Sequence, residues 1–363
     1  MRSCTGCSSM PETAVRSAWL ERIWYAGAPG LWLRPLSLLY GAIVALRRGC
    51  FARGLFRRAQ LDVPVIVVGN ISVGGTGKTP LTAWIAARLL TLGARPGIAT
   101  RGHGRQGRDV LRVTAASTAR EVGDEPLLLA RRTGVPVCVA ARRADAARML
   151  RAAGCDIVVC DDGLQHLQLA RDLEIAVVDA ARGLGNGRLL PEGPLREPAS
   201  RLASVDLVVL NVAGGEPAGL PATGTAAAAL AAAGALRMRL VGDQVLPASG
   251  SGAGRSLASF CGQPVHAVAG IGNPSRFFAQ LRAAGLAIVE HPWPDHHGFS
   301  AADLDFGDAA PVLMTEKDAV KCAGFATSRH WYVPVEAVFD APDDARLTQS
   351  LAALCTRQRA TLK

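Results

Sequence analysis

From Leu61 onward, short apolar runs alternate with polar segments rich in arginine and alanine. Residues 63–68, 97–100, 136–140, 157–160, 175–178 and 207–210 are mostly apolar stretches of strand length. Strands apolar on both faces suit a parallel sheet covered by helices. Between them, Leu81, Ile85, Leu89 and Leu90 recur at helical spacing after Pro80. The alternation predicts an α/β fold with a doubly wound, mostly parallel sheet. Residues 213–235 are rich in Gly, Ala and Pro and read as a linker. A second alternating block at 265–335 predicts a smaller α/β lobe.

Residues 19–56 follow another pattern. Trp19, Trp24, Tyr25, Trp32 and Tyr40 surround an apolar run at 35–46, and Arg47, Arg48, Arg53, Arg57 and Arg58 trail it. The run is shorter than the ~20 residues of a membrane span. Positive charge follows it instead of preceding it, which argues against a signal peptide. Aromatic residues, a short apolar face and a basic cluster predict a helix lying in the interface of an anionic inner membrane, on its cytoplasmic side. Residues 1–15 are polar and patternless, and Met10 is an alternative start. The expected division is a membrane-associated helical segment at 16–58, a phosphate-binding core at 59–212, a linker at 213–255 and the smaller lobe at 256–363.

Composition narrows the partners. The chain has 363 residues, 49% of them hydrophobic, which is ample for two modest domains. A formal charge of +10 admits nucleic acid or an anionic membrane face. Aromatic content of only 5%, without a recognition-helix or RNA-binding signature, argues against nucleic acid. Of nine cysteines only Cys4 and Cys7 have metal-like spacing. Cys138, Cys155 and Cys160 lie in apolar segments and read as buried thiols of a reducing compartment, so zinc is not expected.

The first strand runs into Ser72, Val73, Gly74, Gly75, Thr76, Gly77, Lys78 and Thr79, and a helix follows. A glycine-rich turn between strand and helix aims backbone N–H groups at one point, and the helix N-terminus favours an anion there. Lys78 is placed to reach the β- and γ-phosphates of a nucleotide, and the Thr79 hydroxyl to ligate Mg²⁺. Ser72 stands where the general pattern begins with glycine. Among 40 Lys plus Arg only Lys78, Lys317, Lys321 and Lys363 are lysine. A chain that otherwise chooses arginine keeps a compact ammonium inside this loop.

Five other segments bear on the chemistry. The strand at 157–160 ends in Asp161 and Asp162, the usual position of an Mg²⁺-binding carboxylate in a phosphate-loop protein. Asp124 and Glu125 form a second acidic pair before a Leu-rich helix, where they also suit a helix start. Asp295, His296 and His297 gather acid–base groups in a Pro- and Trp-rich stretch of the second lobe. Thr315-Glu316-Lys317-Asp318 lacks the Lys-x-Asp spacing of guanine readers. The run at 186–197, rich in Gly, Pro and charge, is longer than ordinary connectors and reads as functional.

Taken together these segments resemble the tetraacyldisaccharide 4′-kinase family, the lipid A kinases. The resemblance rests on Asn70 with the loop through Pro80, Thr100-Arg101-Gly102-His103-Gly104, Gly123-Asp124-Glu125-Pro126, Asp161-Asp162-Gly163-Leu164-Gln165-His166, the 186–197 run, Asp295-His296-His297 and 315–318, in that order. Ser72 is shared with that family's loop, whereas His103 stands where it has Tyr. The resemblance implies two α/β lobes with ATP between them. It implies γ-phosphoryl transfer to the 4′-hydroxyl of a tetraacylated glucosamine disaccharide 1-phosphate in the membrane. Asp124 is then the family's base, His296 its assistant, and Glu125, Asp161 and Asp162 organise Mg²⁺ together with Thr79. Arg101, Gln165, His166 and Arg188 are candidates for contacts to substrate or phosphate. The rival from another class is a regulatory phosphate-loop NTPase of the metallochaperone kind. The failed Lys-x-Asp spacing, the lack of metal-type Cys/His clusters and the N-terminal segment argue against it.

Overall fold

In the computed structural model, residues 12–27, 30–212, 234–250 and 252–361 are described. Cys4 and Cys7, and most of the expected linker, lie outside them. Helices α1 (Glu12–Tyr25) and α2 (Arg34–Ala52) come first. In α2 the usual segregation is reversed. Leu38 and Leu46 are 68% and 70% exposed, whereas Ser37 is buried. The hydroxyls of Ser37 and Tyr40 donate to the carbonyls of Leu189 and Arg196, at 2.8 and 3.0 Å. A helix whose polar side grips the protein and whose apolar side faces outward is not a core helix. Among the described residues no helix is long and apolar enough to cross a membrane.

The core follows as β1 (Val65–Gly69), α3 (Lys78–Thr91), β2 (Pro96–Thr100), β3 (Leu111–Arg112), α4 (Ala119–Val122), α5 (Asp124–Thr133), β4 (Val137–Val139), α6 (Arg143–Ala152), β5 (Ile157–Cys160), β6 (Leu173–Asp179), β7 (Leu207–Val212) and β8 (Leu236–Val241). Every residue of β1, β2, β4 and β5 is buried, as strands covered on both faces must be. α3 begins at Lys78, earlier than the periodicity suggests. Pro80 falls in its first turn, where a missing N–H breaks no helical bond.

The second sheet contains β9 (Gln244–Pro247), β10 (Arg255–Ser256), β11 (Pro264–Ala269), β12 (Ala287–Pro292), β13 (Val312–Thr315) and β14 (His330–Val333). Helices α7 (Pro274–Ala283) and α8 (Glu316–Cys322) belong to the same lobe. The chain then returns to the first lobe as β15 (Glu336–Phe339) and α9 (Ala341–Thr361). The nine strands of the large sheet run β15-β8-β7-β6-β1-β5-β2-β4-β3, parallel except at its two edges. The six of the small sheet run β10-β9-β14-β13-β11-β12.

This partition differs from the expected one, in which 213–255 was linker and 256–363 entirely small lobe. β8 and β15 pair antiparallel on the large sheet, Phe339 packs on Trp84 at 5.0 Å, and Leu347 and Leu351 are fully buried. Periodicity locates a strand, but pairing depends on which edge is left uncovered.

Candidate active site

The register of β1 and β5 places Val67 opposite Cys160, so both strands end side by side. The loop at 72–79 leaves one end and Asp161-Asp162 leaves the other. This is where open α/β sheets bind ligands. Gly74 and Gly77 take φ of 104° and 93°. A Cβ at Gly77 would come within 2.6 Å of Asn211 Nδ2, which donates to the Thr76 carbonyl at 3.0 Å. The loop is braced from outside by residues 186–197: Val73 N–H donates to Pro194 O at 2.9 Å, and Ser72 bridges Leu195. The same segment accepts from Trp24 Nε1 through Pro191 O at 3.0 Å, so it joins the N-terminal helices to the phosphate loop.

Lys78 Nζ lies 3.6 Å from Asp162 Oδ1, and Arg196 reaches the same carboxylate at 3.4 Å. Asp162 has φ of 47°, unusual for a residue other than glycine. The buried Arg143 guanidinium donates to the carbonyls of Asp161 and Asp162, at 3.2 and 3.1 Å, and holds that turn. Asp161 is buried and accepts from Thr82 Oγ1 at 3.0 Å. Burial, with Glu125 and Asp162 adding repulsion, pushes its carboxyl up to about 7. Among the described residues no three acidic, His or Cys side chains converge to hold a metal unaided. A set of carboxylates and the Thr79 hydroxyl, completed by phosphate and water oxygens, nevertheless fits Mg²⁺, which rarely takes an all-protein cage.

Asp124 opens α5, and its Oδ2 lies 3.2 Å from His296 Nδ1 of the other lobe. Burial pushes the Asp124 carboxyl up, but the His296 hydrogen bond and the charges of Lys321 and Lys317 outweigh it and hold the group below its ordinary value. His296 itself has φ of 62°, and its ring lies 5.0 Å from that of His103. The departure at His103 therefore sits beside the ring that pairs with Asp124. Lys317 Nζ approaches Glu125 at 3.4 Å and Asp295 at 3.2 Å. Away from this centre, Arg132 pairs with Glu316 at 3.0 Å, while Arg276 bonds Asp179 and Asn211 at 3.2 and 2.9 Å. Both contacts cross between the lobes.

The other sequence candidates have their own surroundings. Gln165 donates to Asn70 O and to Glu197, at 3.0 and 2.8 Å, and so supports the loop from behind. His166 lines a cavity of about 280 Å³ with Arg57, Arg58, Arg142, Arg143 and Arg148. Burial, then the charges of Arg143 and Arg101, pull His166 down to about 4. Arg101 is exposed. Arg188 pairs with Glu192 at 3.0 Å on the rim of a groove of about 730 Å³ beside α2. Sequence reasoning missed Arg143, Asn211, Arg276 and Lys321. The scarcity of lysine was the one signal available for the last of these.

Comparison with known proteins identifies the family. The profile described as tetraacyldisaccharide-1-P 4'-kinase matches residues 30–356. The tetraacyldisaccharide 4'-kinase of Alkalilimnicola ehrlichii is 52% identical over 93% of this chain and 96% of that protein. The protein of that name from Xanthomonas campestris is 49% identical over 94% and 98%. The crystal structure of Aquifex aeolicus LpxK in complex with ATP is 26% identical, with a TM-score of 0.72 over 89% of this chain and 98% of that one. Loop, carboxylates and the pair across the cleft thus occur in a chain similar to these kinases along nearly its whole length, and the chain belongs to the tetraacyldisaccharide-1-P 4'-kinase family.

Proposed function

We propose that this chain transfers the γ-phosphoryl group of ATP to the 4′-hydroxyl of a tetraacylated glucosamine disaccharide 1-phosphate, a step of lipid A biosynthesis. The carrying observation is that Asp124, at the head of a helix in the lobe with the phosphate loop, is hydrogen-bonded to His296 of the other lobe. Phosphoryl transfer needs positioning and charge neutralisation more than covalent chemistry. Loop N–H groups and Lys78 hold the phosphates. Thr79, Glu125, Asp161 and Asp162 would hold Mg²⁺. The chemistry Mg²⁺ supplies when bound is neutralisation of charge shared by the β- and γ-phosphates. Asp124, kept ionised, collects the proton of the attacking hydroxyl, and His296, already bonded to it across the cleft, orients that carboxylate while the lobes exclude water.

We assign the lipid to the side of α2. Its outward apolar face, with Trp32 in the turn just before it 64% exposed and the basic residues that follow, supports peripheral attachment to the cytoplasmic face of an anionic inner membrane. The groove between α2 and the 186–198 segment is lined by Leu38, Ala42, Ala45 and Leu189, with Arg34, Arg48 and Arg188 beside them. An amphiphile with an anionic head suits that lining. The cavity holding His166 and the arginines, with Arg101 contributing to its field, suits an anionic group of the same substrate. Incubation of the protein with γ-labelled ATP, with and without the acylated disaccharide 1-phosphate, tests the reaction. Label in the lipid only when both are present supports it; hydrolysis that ignores the lipid contradicts it.

A further inference from the structure

The segment 315–322 contains two of the four lysines, and the phosphate loop alone makes no use of it. Thr315 caps α8 by accepting from Asp318 N–H at 3.2 Å. Asp318 is fully buried and accepts from Gly270 N–H at 2.8 Å and Thr315 Oγ1 at 2.6 Å. Its other oxygen takes a bond from Lys321 Nζ at 2.8 Å. Lys321 is thus anchored inside the second lobe, with its side chain 6% exposed. The same ammonium donates to the carbonyl of His297, next to His296, at 3.1 Å. It lies over the Phe299 ring at 5.2 Å and faces Asp124 Oδ2 across the cleft at 3.8 Å.

An ammonium has three N–H donors, and here three acceptors surround it. One fixes it to its own lobe, one fixes the turn carrying His296, and the third is the carboxylate of the opposite lobe. Only the third exceeds hydrogen-bond length. It is the contact free to shorten to ~2.9 Å when substrates draw the lobes together. A planar guanidinium cannot meet acceptors arranged about one point in this way. We propose that Lys321 is a positioning residue that holds Asp124 against His296, acting through Asp124 and the 295–297 turn without touching substrate. This rests on Asp124 being the proton acceptor.

The consequence is a loss confined to turnover. Lys321→Met keeps the length of the stem and removes the charge. With labelled ATP and the acylated disaccharide 1-phosphate in mixed micelles, the full-length variant is expected to lose about tenfold to a hundredfold in kcat, with the KM for ATP unchanged. In an Asp124→Asn background the same substitution is expected to cost less than about twofold, because the group it positions is gone. Lys321→Arg, charged but the wrong shape, is expected to fall between Lys321→Met and the parent. Thermal melts establish that each variant is folded, with Lys321→Gln replacing Lys321→Met if the latter is not. If neither neutral variant folds, Lys321 belongs to the fold and the proposal is overturned. Losses that add fully to those of Asp124→Asn, or that appear in the KM for ATP, overturn it as well. An Asp124→Asn protein with parental kcat overturns instead the assignment of Asp124 on which it rests.

Discussion

Lys78 and Asp162 face each other at 3.6 Å, each drawn from a different one of the two strand ends that meet at the site. In the proposed reaction the pair pre-places the ammonium where nucleotide phosphates would arrive. Asp162 meanwhile keeps Arg196 as a second partner at 3.4 Å. Lys78→Ala is therefore expected to leave the fold intact and to lower phosphoryl transfer by about a thousandfold or more, since transition-state charge goes uncompensated. Single-turnover transfer from labelled ATP measures this. Near-parental turnover would make the loop a structural turn.

The outward face of α2 makes a prediction about location. Ser37, Tyr40 and Trp24 tie the N-terminal helices to the segment bracing the phosphate loop, so removing residues 1–58 would disturb two functions at once. Replacing Leu38, Leu39 and Ile43, all exposed, with Glu separates them. The triple variant is expected to leave anionic vesicles at moderate salt in a flotation assay while retaining ATP binding. Undiminished flotation would move the membrane contact elsewhere.

His166 gives the molecule an acid-sensitive component. Burial and nearby arginines hold its folded pKa at about 4, against the ordinary 6.5. The unfolded chain thus binds a proton more readily below neutrality, and the stability contributed by the neutral ring is lost as pH falls from 6.5 towards 4. The loss amounts to about 1–3 kcal/mol at partial exposure. Urea unfolding at pH 7 and pH 5 should show a smaller difference for His166→Gln than for the parent. Equal differences would contradict the assignment.

The parts legible in sequence were those whose chemistry is local. A strand followed by Ser72 to Thr79 and a helix carries its geometry in its own spacing, and the strand ending in Asp161 announces itself by a run of apolar residues cut off by charge. The alternation of runs also signals a mostly parallel sheet. The rest depends on distance in sequence. Nothing near 336–361 indicates that β15 covers the open edge of β8 or that α9 fills the space against α3. Arg143 reads as an ordinary helix-start arginine until its guanidinium is seen under the Asp161 and Asp162 carbonyls. Lys321 acquires meaning only when Asp124, far away in the chain, arrives opposite it.

The central claim is that Asp124 and His296 act as one unit across the cleft. A double-mutant cycle on kcat, with ATP affinity measured in parallel, tests it most directly. The account predicts that Asp124→Asn lowers kcat about a hundredfold or more with ATP affinity intact, within the range for loss of a general base. His296→Ala should lose less, and the double variant should lose less than the product of the two single losses. Parental turnover in Asp124→Asn, or fully multiplicative losses in the double variant, would contradict it and make Asp161 the next candidate for the base.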